Sequence, residues 1–449
     1  MVMSSKGMNS ITRLTLVIVL AAQSAEAAPR PADDPTAVAP PASRGELMLH
    51  LEDALQLAMK ENRNLLLSRS EVAISEAQLR GARERPNPVV SASTSRIHVD
   101  RFGDATSLGN DFWSRSYDTI IQGGQLVEVG GKRSARRRSA AASVDAARAR
   151  YADIRRTLEA DLVRAYVGVA LAEAEVRIAR QSAGYLGDEA RIASLRLKAG
   201  DISRSDLDQI EIAAARLEIE AEGAEAEASA RRTALEVLLG VQRPGGDVVV
   251  LDSLDTLADR SNVAPEGPTG GDRADLLASR AELRKAENEL SLQRALRIPD
   301  PTILFQLEHN PPDRSNTVGA GVSFLLPLWN RNGGAIRAAE AARDEAEWAL
   351  HRAEAQVVAD VTVARTSYAE ASARWRRYRD ELRPRSAEVR EAVSLAYEKG
   401  GASLLDLLEA QRNDNDVRLA TMQAASAAAV AAADLKTASE TAAMENTHP

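Results

Sequence analysis

The chain has no cysteine. Disulfides, thiolate metal centres and a lipid anchor on cysteine are therefore excluded. Its five histidines, His50, His98, His309, His351 and His448, show no ligand spacing. Aromatic residues make up 3% of the 449 positions, which suits long helices packed through small side chains better than a thick globular core. A phosphate-cradling loop is missing as well, because Gly123-Gly124 and Gly130-Gly131 are not followed by Lys-Ser or Lys-Thr. The net charge of −8 argues against a nucleic-acid surface. Neither catalysis nor a cofactor nor a resident metal is expected.

Long apolar runs are also scarce. The N-terminal one, residues 14–22, is too short to span a bilayer. With Lys6 and Arg13 before it and Ala25-Glu26-Ala27 after it, residues 1–27 read as a cleaved export signal. A loose stretch rich in proline and alanine follows, to about residue 45.

What the chain does have is a repeat. The turn Leu197-Lys198-Ala199-Gly200-Asp201-Ile202-Ser203-Arg204-Ser205-Asp206-Leu207 returns as Tyr397-Glu398-Lys399-Gly400-Gly401-Ala402-Ser403-Leu404-Leu405-Asp406-Leu407. Each copy joins a very long helical stretch to a shorter one. In the first stretch Leu158, Leu162, Ala165, Val169, Ala172, Val176, Ala179, Ala183, Leu186, Ala190, Ala193 and Leu197 step by three and four, a coiled-coil seam. The second seam runs Val361, Ala364, Tyr368, Ala371, Trp375, Tyr378, Leu382, Val389, Ala392, Ala396, with a kink expected beside Pro384. Each long helix should reach about 95–100 Å.

Ahead of each helical hairpin lies a proline signature, Arg85-Pro86-Asn87-Pro88 or Ile298-Pro299-Asp300-Pro301, and then two strand-like segments. Residues 51–84 read as one amphipathic helix. Strands are expected at 89–99, 117–127, 302–308 and 317–326. In the last, Val318, Ala320, Val322, Phe324 and Leu326 alternate with small or polar residues. The division is a first repeat over 28–241, with its strand hairpin at about 88–127 and its helical hairpin at about 132–240. An irregular linker at 242–272 follows, then a second repeat over 273–449, with hairpins at about 301–327 and 335–438. The basic run Lys132-Arg133-Ser134-Ala135-Arg136-Arg137-Arg138 opens the first long helix, where its cations could meet anionic lipid.

The segment Tyr397-x-x-Gly400-x-x-x-Leu404-Leu405-Asp406-Leu407-Leu408-x-Ala410-Gln411-Arg412, with Pro384 upstream, resembles the TolC-like outer-membrane factors of Gram-negative tripartite efflux systems. Pro327-Leu328-Trp329-Asn330-Arg331-Asn332-Gly333-Gly334 together with Pro299-Asp300-Pro301 looks most like the cobalt-zinc-cadmium resistance branch. The resemblance covers essentially the whole mature chain. It implies a mainly α fold with a small β part, a homotrimer, a twelve-stranded barrel in the outer membrane and a helical tunnel across the periplasm. By the same resemblance the partners are a periplasmic adaptor, a resistance-nodulation-division-type pump and outer-membrane lipid. The tips Gly200, Asp201, Ser203, Asp206, Gly400, Gly401, Ser403 and Leu404 would dock the adaptor, and Asp406 and Glu409 would ring the pore aperture. Ala402 and Ser403 depart from the family pattern by supplying no arginine to latch an aspartate such as Asp206. The cargo implied is heavy-metal cations. A drug or small-molecule duct is the competing reading, and a periplasmic coiled coil or adaptor is the alternative of another class.

Overall fold

A helix of 68 residues, α3 (Lys132–Ala199), spans about 100 Å. The computed structural model describes residues 47–95, 118–260, 273–310 and 315–440. The expected export signal, the whole loop between the first two strands, and residues 261–272 of the linker lie outside them.

Before α3 come β1 (Leu47–Leu49), α1 (Leu51–Glu61), α2 (Arg63–Arg83), β2 (Val89–Ser95) and β3 (Asp118–Leu126). After it come α4 (Arg204–Leu238), β4 (Val248–Val250), α5 (Leu254–Arg260), α6 (Ala274–Ala295), β5 (Pro301–Asn310) and β6 (Ser315–Phe324). The chain ends with α7 (Gly333–Arg377), a π-helical turn (Tyr378–Leu382), α8 (Arg383–Glu398) and α9 (Leu404–Ser439). Three-quarters of the described residues are helical, and among them no helix is long and apolar enough to cross a membrane.

The helices pack through small residues. Ala424, Ala425, Ala428 and Ala429 of α9 join Leu162, Tyr166, Val167, Val169 and Trp375 in the main apolar cluster. Alanine lets helix axes approach closely, and the rings of Tyr166 and Trp375 are fully buried among them. Every residue of the first seam is buried or half-buried.

Three local departures from the sequence reading have physical causes. The helix expected over 51–84 breaks at Asn62. Its side chain accepts the Leu65 N–H (3.1 Å), capping α2, and donates to the Leu238 carbonyl (2.8 Å). A proline-induced π turn, rather than a simple kink, interrupts the second long helix. Pro384 has no N–H for the carbonyl of Asp380, and the helix widens so that the Arg383 N–H reaches Tyr378 instead. The extra residue turns the following helix, so Val389 is 56% exposed and Ala392 is exposed, while Arg390, Val393 and Tyr397 face inward. The linker, finally, holds order: β4 pairs in parallel with β1, Leu47 opposite Val248. The buried Glu236 carboxylate accepts backbone N–H groups from Gly245, Gly246, Asp247 and Val248.

Candidate functional site

The two tip turns are built alike. Gly200 (φ +87°) and Gly400 (φ +75°) end their helices in the left-handed region, where a side chain is strained. Three residues on, Ser203 and Ser403 cap the returning helices. The Ser203 hydroxyl accepts the Asp206 N–H (3.1 Å) while Asp206 Oδ2 accepts the Ser203 N–H (3.1 Å). Ser403 and Asp406 repeat this at 3.2 and 2.9 Å, and the Ser403 hydroxyl also donates to Asp406 Oδ2 (2.7 Å). These are reciprocal capping boxes, and they satisfy donors that a helix start leaves open.

Asp406 therefore has a local task that the sequence reading missed, although Ser-x-x-Asp is visible in both turns. The Ser403 hydroxyl, and then its backbone N–H, hold the Asp406 carboxyl below the usual carboxylate range. The cap thus fixes Asp406 as an anion. Glu409 is exposed one helical turn further along the same face. Asp201, Ser203, Gly401 and Ser403 are exposed, and Asp206 is half-buried.

The tips touch one another. Leu404 packs on Ala193, Leu207 and Ile210 of the first hairpin. The Arg196 guanidinium lies 5.4 Å from the Tyr397 ring centroid. Further from the tip, Tyr185 and Ser394 hydroxyls are 3.1 Å apart, and Ser182 donates to Asn415 (2.7 Å). Asp414, buried on α9, accepts from Ser386 (2.9 Å) and pairs with Arg390 Nε (3.1 Å). Burial raises the pKa of Glu189, the nearby charges of Glu398 and Asp188 add to the rise, and Arg196 opposes it. Between the apolar tip and the main apolar cluster, the contact from the first hairpin to the second thus carries hydroxyl and amide pairs, through Ser394 of α8 and Asn415 of α9. No signal in the seam pattern indicated it.

At the other end the strands form one antiparallel sheet in the order β2-β3-β5-β6. Register puts Ile303 opposite Val322, Phe305 opposite Ala320 and Leu307 opposite both Val318 and Ile121. Cross-strand partners share a face. Phe305, Leu307, Val318 and Val322 are 48–81% exposed on that apolar face. The other face carries Thr302, Gln306, Glu308, Gln122, Thr317 and Ser323 with Gly319 and Gly321, and among them Leu304, Ile120 and Leu126, so it is mainly polar or small. Among the described residues neither β2 nor β6 has a second strand beside it.

A buried ion pair joins sheet to helices. Lys132 Nζ lies 2.7 Å from Asp300 Oδ1 and donates to the Ile298 carbonyl (2.5 Å), while the Val129 N–H donates to Asp300 (2.9 Å). Arg136 forks onto Glu128 at 2.6 and 3.1 Å, and Arg133 donates to the Arg83 carbonyl (3.2 Å). The basic run is thus largely committed to the joint. Of its arginines, Arg137 and Arg138 are exposed, and Arg138 donates to Asn288 (3.1 Å). Among the described residues no group of three or more His, Cys, Asp or Glu is placed to hold a metal ion.

Two oversized helical hairpins hung from a sheet with one mainly apolar and one mainly polar face have the fold of an outer-membrane channel. The family model described as outer membrane efflux protein matches residues 54–241 and 271–439, and the chain belongs to that family. It is 28% identical over 376 residues to the cobalt-zinc-cadmium resistance protein CzcC of Cupriavidus metallidurans, covering 81% of this chain and 83% of that one. A membrane protein from Pseudomonas aeruginosa shares the fold with a TM-score of 0.69 at 19% identity, over 86% of this chain and 89% of the other. The Campylobacter jejuni CmeC outer membrane channel does so with a TM-score of 0.69 at 18% identity, over 86% and 85%.

Proposed function

We propose that three copies of this chain form the outer-membrane exit duct of a tripartite efflux system, passing heavy-metal cations outward. The observation that carries the reading is the sheet. Its exposed apolar face suits lipid, its polar face suits a lumen, and its two unpaired edges are tolerable in a bilayer only when closed on neighbouring strands. Four strands per chain and three-fold symmetry give a closed ring of twelve. Channels of this family act as trimers with adaptor proteins and inner-membrane pumps. Residues 1–27 serve as the export signal, and the repeats span 28–241 and 273–449 about the linker.

The tip residues Gly200, Asp201, Ser203, Asp206, Gly400, Gly401, Ser403 and Leu404 form the adaptor-docking surface. Asp406 and Glu409 line the aperture, where fixed anions favour cations. The metal cargo is supported by the similarity to CzcC. The test has two arms. Membrane fractionation should recover a heat-modifiable trimer in the outer membrane; a soluble periplasmic monomer would overturn the duct. Deleting the gene should sensitise cells to cobalt, zinc or cadmium. Sensitivity to drugs alone would leave the duct standing and reject the cargo.

A further inference from the structure

A cleft of about 210 Å³ opens where the two hairpins meet, beside the π turn. Its polar lining comes from three helices: Arg177 and Gln181 of α3, Arg383 at the start of α8, and Arg418 of α9. Its apolar lining is Ala174, Ile178 and Met422. Ala174 and Ile178 are buried and Met422 packs on the main apolar cluster, so that side of the cleft is held in place. The polar side offers donors. Arg418 donates to Gln181 Oε1 (2.6 Å), which takes up the one side-chain oxygen of the lining and leaves the Gln181 amide hydrogens without an acceptor among the described residues. Arg383 lies 3.5 Å from Asp255, which is outside the lining. Arg177 has no carboxylate partner among the described residues. Glu173, one turn back along α3, is held instead by Arg232 (2.9 Å).

We propose that this cleft binds a small organic anion, an oxyanion head on a short apolar body. Guanidinium groups fork onto carboxylate and phosphate oxygens through charge-assisted hydrogen bonds, and the Gln181 amide adds a neutral donor beside them. Three cations held around one cleft repel each other, and an anion among them offsets that repulsion. Ala174, Ile178 and Met422 take the apolar body out of water, which a bare inorganic ion would not use. A metal cation would meet only like charge here, so the site is separate from the proposed cargo and stands whichever cargo the duct carries. The ligand's contacts come from both repeats. An occupied cleft therefore ties α3 to α8 and α9, about one helical turn from the Ser182–Asn415 contact.

The test titrates phenyl phosphate, and separately inorganic phosphate, into the full chain purified in its assembled form in mild detergent. Calorimetry at constant ionic strength in chloride reads both. Phenyl phosphate should bind at one site per chain, and inorganic phosphate roughly tenfold more weakly because it leaves the apolar lining unused. Arg177→Gln and Arg418→Gln should each weaken phenyl phosphate roughly tenfold, the usual size of one lost charge-assisted bond. Met422→Ala should weaken phenyl phosphate and leave inorganic phosphate unchanged. Arg137→Gln, exposed at the far end of α3, should alter neither. Arg177 is exposed and without an ion pair, so its variant keeps the fold and carries the test should Arg418→Gln fail to assemble. Equal weakening by Arg137→Gln would mean general screening by the basic residues and overturns the site. Inorganic phosphate binding as tightly as phenyl phosphate overturns the organic ligand. An assembled native protein that binds neither probe overturns the proposal as well, and is the result expected if a carboxylate from a neighbouring copy fills the cleft.

Discussion

The Arg383 N–H donates to the carbonyl of Tyr378, five residues back, instead of continuing the four-residue ladder. That single bond decides which face of α8 meets the rest of the molecule. It turns Val389 outward and Arg390 inward, onto the buried carboxylate of Asp414. Removing Arg390 leaves that charge with Ser386 alone. Arg390→Ala should therefore cost on the order of 3 kcal/mol, against less than about 1 kcal/mol for Val389→Ala. Urea midpoints of the two variants check this, and equal losses would restore the uninterrupted seam.

Most of the fold was legible because it is periodic. Seams, turn glycines and proline signatures are local patterns, and they located the long helices, both tips and the strand pairs. The shift beyond Pro384 was not legible, since the proline signals a disturbance but not whether the helix kinks or gains a residue. The break at Asn62 was hidden for a different reason. Its amide is spent on Leu238, which is remote in sequence. At the tips, the capping boxes lay open in Ser203-x-x-Asp206 and Ser403-x-x-Asp406, but the docking of Leu404 and Arg196 between hairpins is tertiary.

Within the basic run only some cations are structural. Lys132 is buried against Asp300, so Lys132→Ala strands a carboxylate that keeps only the Val129 N–H. A loss of about 3 kcal/mol is expected. Arg137→Ala, at an exposed position, should change stability by less than about 0.5 kcal/mol. Thermal unfolding of both variants distinguishes a joint from a generic basic patch.

Two positive-φ glycines should respond differently. A Cβ on Gly400 meets nothing within 4 Å, so Gly400→Ala carries only left-handed strain, about 1 kcal/mol. On Gly240 it would run into the Glu61 carbonyl group. Gly240→Ala should then lower the yield of assembled protein sharply, while Gly400→Ala still assembles. Comparing trimer levels on unheated gels reads the difference. Adaptor cross-linking to Gly400→Val, at matched trimer level, then reads docking apart from folding.

Asp252 gives the fold an acid limit. Burial opposes its ionisation, but the Leu51 N–H, His50 and Tyr166 outweigh that and hold its pKa below the usual range. A depressed carboxylate contributes stability that is present above the unfolded value and is lost as pH falls through the folded one. Native protein should therefore lose stability below the ordinary carboxylate range, and Asp252→Asn should be weaker at neutral pH with a flatter acid limb. Unfolding midpoints against pH test the sign. An unchanged acid limb would remove Asp252 from the account.

Alanine at position 406 would confuse two roles, because it removes the cap as well as the charge. Asn can still accept the Ser403 N–H, so Asp406→Asn with Glu409→Gln deletes the anions while keeping the helix start. If these residues ring the aperture, the double variant removes six negative charges from one constriction per trimer, where screening is poor. In planar bilayers it should insert normally, lose cation preference and lose block by multivalent cations. Ser403→Ala, which weakens the cap and leaves both acids, should keep the preference. Unchanged selectivity in an assembled double variant would assign Asp406 to capping alone and put the selectivity elsewhere in the duct.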